Sequence, residues 1–217
     1  MFVGHFAVGF ALKKAEPKVP LGVYFAAALF LDILWPIFLL AGIEKASVVP
    51  GFTRFTPLNL EILDWSHSLA MTALWSLLFG ALVYWRVRTA KAFLFSAVGV
   101  ASHWLLDYIT HSPDMPLAPH SARYGLGLWN SIQGTLMIEL AMFFLGVAIY
   151  MRLAPKPTRS SLVHLGVMVV FFLVMYFMAA FGPPPPNDQK ILAISSLALT
   201  PIILWANWLD KKMGLKA

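Results

Sequence analysis

The stretch AFLFSAVGVASHWLLDYITH, Ala92 to His111, decides what kind of protein this chain is. It is as apolar as a membrane span, yet its second half carries His103, Asp107 and His111 at spacings of four. At 3.6 residues per turn these positions share one helical face, drifting by only about 40° per step. Imidazoles and a carboxylate on one face are donors that a divalent metal takes, and at membrane depth such groups are costly unless they face protein and find partners. Polar helix ends or hydrogen-bonded core groups would explain one isolated pair. Three aligned groups, with more His and Asp at similar depth elsewhere, point to a metal site.

Composition sets the compartment. Of 217 residues, 59% are hydrophobic and 12% charged, and the mean hydropathy is +0.75, which a water-soluble domain could sustain only by exposing large apolar patches. The chain reads as an integral membrane protein. It has no Cys, which removes disulfides, thiolate nucleophiles and Cys-ligated zinc, so any metal must be held by His and carboxylate. The net charge of +6 does not imply nucleic acid, because the basic residues flank hydrophobic runs and form no patch interleaved with exposed aromatics.

Residues 1–12 are apolar but too short to span, and they lack a basic start and a small-residue cleavage site. They read as a short re-entrant or interfacial helix. Lys13, Lys14 and Lys18, with Pro17 and Pro20, lead into a first span of about 21–42. Further runs at about 67–85, 92–110, 132–151, 162–181 and 191–208 are each near the ~20 residues a bilayer needs. The expected fold is an all-α polytopic bundle of six transmembrane helices, one membrane domain over 1–217, with the site in 1–140 and accessory spans at 160–210. Twelve of the 16 basic residues (Lys13, Lys14, Lys18, Arg86, Arg88, Lys91, Arg152, Lys156, Arg159, Lys211, Lys212, Lys216) fall on one side. The positive-inside rule then puts both termini in the cytoplasm of a bacterial inner membrane, and the connections at about 43–66 and 111–131 outside.

With that orientation the ionisable groups converge on the outer half of the bilayer. At 1.5 Å per residue, Asp107 lies about 6 Å below the outer end of its span, His103 and Glu139 about 12 Å and Asp32 about 15 Å, while His67 opens the second span at its outer edge. A re-entrant 1–12 segment would raise His5 toward them. Asp64 reads either as the N-cap of the second span or as a catalytic group. In the second outer connection, Gly125 and Gly127 read as turns before a helix capped by Asn130 or Ser131.

His5 with Gly9, the Asp of LFLDILWP, the WSHSLA opening of the second span and HWLLDYITH occur in an order that resembles the YdjM-like family of membrane-bound metal-dependent hydrolases, over about residues 1–120. The resemblance implies a metal-binding hydrolase site made from His5, Asp32, His67, His103, Asp107 and His111. One departure stands out. Where such families often show an Asp-x-Asp pair, this chain has Asp32 followed by Leu34.

As chemistry, three His and two Asp, with His111 as a further candidate, suit one or two divalent ions, Zn²⁺ foremost, and the leftover carboxylates Glu61, Asp64 and Glu139 are candidates for general base or for orienting a ligand. A site in the outer leaflet suits a phosphoester or lipid-linked substrate among membrane lipids. No nucleophile elbow, phosphate-cradling Gly loop or dinucleotide fingerprint is present. A proton- or ion-coupled transporter could use the same cluster, but the last two spans carry ionisable groups only at their ends, and no repeat symmetry is visible.

Overall fold

The computed structural model describes residues 1–154 and 156–215. Lys216, which the sequence places among the basic residues of one side, lies outside them. The architecture is helical. Helix α1 (Val3–Ala15) precedes a bent span made of α2 (Leu21–Ala28) and α3 (Phe30–Leu40), followed by α4 (Leu69–Val87), α5 (Ala90–Thr110), α6 (Ile132–Met151), α7 (Arg159–Phe181), α8 (Gln189–Leu197) and α9 (Ile202–Lys212). Among the described residues, five stretches are long and apolar enough to cross a membrane, the last being Gln189–Lys212, and the bent α2–α3 pair, taken as one span, makes a sixth. The outward faces are apolar: Met137 and Leu204 are each 73% exposed. In water such a surface would aggregate, whereas in lipid it is the expected exterior.

Helix α1 is not laid on a surface. Its Val3, Phe6, Phe10 and Leu12 are buried, and it packs against α2, α5 and α6 inside the bundle. Close approach to α6 is permitted by Gly146, where a Cβ would lie 2.6 Å from the Ala7 carbonyl oxygen. An aromatic core of Phe6, Phe10, Phe25, Phe143, Phe172 and Tyr176 holds this side together. A second core, with Leu31, Trp35, Phe79, Val100 and Trp104, joins α3, α4 and α5.

Two spans that look continuous in sequence are broken. The first bends by 55° at Leu29, and the last unwinds between Leu197 and Ile202, where Pro201 disfavours helix for the residue before it. The two longer connections, ahead of α4 and between α5 and α6, contain two short antiparallel hairpins. Strand β1 (Lys45–Val48) pairs with β2 (Leu58–Ile62), and β3 (Met115–Pro116) with β4 (Arg123–Tyr124). Asn187, just after the run Pro183 to Pro186, ties the proline connector to this cap by accepting from the Val48 N–H at 2.8 Å.

The end opposite the hairpins holds a buried network. Lys13 is fully buried, its ammonium 2.8 Å from Asp210 and donating to the carbonyls of Pro17 and Val19, while Asp210 accepts from the Tyr150 hydroxyl and the Leu21 N–H. The sequence counts Lys13 among the basic residues flanking the first span; the structure adds that it is buried because α9 brings a carboxylate onto it.

Candidate metal centre

Three helices and one turn deliver the polar side chains to one place. Helix α5 carries His103 and Asp107 on its buried face and ends at His111, whose extended backbone closes the helix as the His111 N–H donates to the Asp107 carbonyl. Helix α1 brings His5, α3 brings Asp32 in its first turn, and the turn ahead of α4 brings His67. All but Asp32 are buried; its carboxylate side chain is 45% exposed.

Asp107 is the centre of the arrangement. Its Oδ1 faces His5 Nε2 at 3.0 Å, His111 Nε2 at 3.6 Å and the Met1 amino group. Its Oδ2 faces His103 Nε2 at 3.0 Å and His67 Nε2 at 3.8 Å. Asp32 Oδ1 closes the second side, 3.5 Å from His67 and 3.6 Å from His103. Among the described residues there are two donor sets, His5/His103/Asp107 and Asp32/His67/His103, each with its ligand atoms within 4.8 Å of one another; either could hold a metal ion, and the two share His103.

The imidazoles are aimed. His103 Nδ1 donates to the Ala28 carbonyl at 2.6 Å, a group at the end of α2 where helical carbonyls lack an internal partner, so Nε2 points into the cluster. That Nε2 is buried and makes no hydrogen bond, because Asp107 lies off the line of an N–H. For His67, Nδ1 meets Ser66 Oγ at 2.6 Å, and Ser66 donates to Glu44 at 2.7 Å. For His111, Nδ1 meets Asp114 at 3.1 Å, and the ring stacks on Trp129. In these three the outer nitrogen is occupied and Nε2 points into the cluster, the arrangement typical of metal-binding histidines, whereas His5 Nδ1 is buried without a partner.

The three other carboxylates lie outside the cluster. Glu139, fully buried, accepts from the Phe2 and Gly4 N–H groups at 2.8 and 3.2 Å and so caps α1, whose N-terminus has no side-chain cap of its own. Glu61 sits on β2, where the Lys45 ammonium 2.7 Å away holds its carboxyl below the usual range. Asp64 accepts from the His120 N–H at 3.1 Å and lies 3.6 Å from Arg123, tying the connection ahead of α4 to the one between α5 and α6. It does not cap α4, since Ser68 does, and Ser131 caps α6. Glu44 and Asp114 were not legible as orienting groups. In the sequence they are two acids in polar loops, and only the turn geometry sets them behind imidazoles.

The profile of the YdjM inner membrane protein family matches residues 1–182. The chain belongs to the YdjM inner membrane protein family. Searches of curated proteins and of solved structures return no significant match. Membership and the apolar helices agree that this is a membrane protein. The family match extends past the 1–120 region of sequence resemblance, taking in α6 and α7. It includes every residue of the cluster and stops before α8.

Proposed function

We propose that this YdjM-family protein is a membrane-bound metal-dependent hydrolase whose cluster takes two divalent ions, Zn²⁺ foremost, and cleaves a phosphoester. The observation that carries the reading is the two-sided environment of Asp107: Oδ1 toward His5 and His111, Oδ2 toward His67, His103 and, beyond them, Asp32. With one oxygen toward each pair of imidazoles, Asp107 would serve both ions, the part that a carboxylate at Leu34 would otherwise take. Bound there, the ions would supply Lewis acidity toward a phosphoryl oxygen and water acidified to about neutrality.

The protein's own groups have three tasks. Ala28, Ser66 with Glu44, and Asp114 orient ligand imidazoles; Glu139 fixes α1 and with it His5; Asp32, the only exposed member, faces the incoming substrate. A cavity of about 190 Å³ lies against this face, lined by Asp32, His67, Asp107, His111 and Trp129 under residues of the β1–β2 connection. In the orientation given by the basic residues, it lies in the outer half of the bilayer.

The test is metal content by mass spectrometry on detergent-purified protein, with His103→Ala and Asp107→Ala beside the parent, followed by phosphoester turnover of the metal-loaded protein. About two equivalents in the parent, lost in both variants, with metal-dependent turnover, is the expected result. No metal under replete conditions with both variants folded would overturn the reading in favour of proton-coupled transport.

A further inference from the structure

A second cavity, of about 170 Å³, adjoins the first and shares Met1, Phe2, Asp32 and Trp35 with it. Its character differs. It lies between the two helix breaks, walled by Leu29 and Ile33 from the α2–α3 bend and by Leu199 and Ile203 from the α8–α9 break. Ser196 and Thr200 also line it, but their hydroxyls donate to the Leu192 and Leu197 carbonyls of their own segment. Asp32 is its one acidic wall residue, on the side toward the cluster, where Met1 also lines it with its amino group paired to Asp107.

An apolar chamber of this kind stays dry when empty and favours an apolar ligand. A water-soluble phosphoester would need only the first cavity. The second, ending at the same Asp32, fits a substrate with a polar head and an apolar chain. The flanking Ile37, Ile194 and Leu204 are exposed on the apolar exterior of the same helices, so a chain in this position comes from the bilayer.

We propose that this chamber seats one alkyl chain of a membrane lipid whose phosphoester faces the cluster, and that residues 196–203 select the chain. This rests on the hydrolase reading. The selecting wall lies beyond residues 1–182, so the cluster is what the chain shares with the family profile and the α8–α9 wall is outside that shared part.

The experiment uses metal-loaded full-length protein and hexadecyl phosphate carrying a diazirine at mid-chain, with crosslinked peptides mapped by mass spectrometry. Leu199→Trp and Ile203→Trp would fill the chamber, and Leu204→Trp, on the exposed face of the same helix, is the control. The parent should be labelled within residues 29–35 and 196–203. Both filling variants should lose that label about tenfold, the effect of keeping roughly two methylenes out, while retaining metal; Leu204→Trp should not. Label confined to outward faces such as those of α7, or label indifferent to both filling variants, would overturn the proposal even if phosphoesters are hydrolysed. Label that follows the variants without any turnover would sustain the chamber and sink the hydrolase reading.

Discussion

Ser66 Oγ lies 2.6 Å from His67 Nδ1, and because the same hydroxyl donates to Glu44, it must accept from the imidazole. The Glu44 carboxylate, also receiving the Trp65 and Ser66 N–H groups, therefore fixes both the turn and the tautomer of His67. Ser66→Ala and Glu44→Gln should each weaken metal binding by about 10–100-fold. Competition with a chromogenic chelator measures this, with unchanged far-ultraviolet dichroism showing that the helices persist.

Glu139 has its tie to α1 as its visible role. Glu139→Gln removes a charge from a helix N-terminus and leaves a neutral oxygen for the two N–H groups that one carboxylate oxygen accepts, and should destabilise the protein by about 1 kcal/mol while loosening His5. Thermal unfolding in detergent checks it. A general-base role would show instead as lost turnover at unchanged melting temperature.

At Gly146 the expected effect is transmitted through packing alone. Gly146→Ala places a methyl 2.6 Å from the Ala7 carbonyl oxygen and 2.8 Å from its Cα, so α1 must shift. A cost of about 1–3 kcal/mol is expected, together with reduced metal stoichiometry, although the residue touches no ligand. Full metal content in a destabilised variant would show that His5 is dispensable.

The buried pair at the opposite end makes a prediction independent of the site. Asp210→Ala leaves the Lys13 ammonium in the interior with only two carbonyls for partners, and should cost about 3–5 kcal/mol. Replacing both residues by Leu or Met should recover much of that loss, measured by equilibrium unfolding in mixed micelles.

The sequence by itself determined the compartment, the helical class and most of the cluster. Long apolar runs have no stable alternative to membrane helices, and the four-residue spacing of His103, Asp107 and His111 puts them on one face whatever surrounds them. What only the tertiary structure decided are relations across the chain. Asp107 becomes two-sided because α1 carries His5 in from one direction and the pre-α4 turn carries His67 in from another. The bend at Leu29 accompanies a hydrogen bond from a histidine 75 residues away, and the burial of Lys13 requires a carboxylate from the last helix. Periodicity reports which face of a helix is unlike the others; it carries no information about which distant backbone or side chain that face will meet, because those partners are selected by packing among helices.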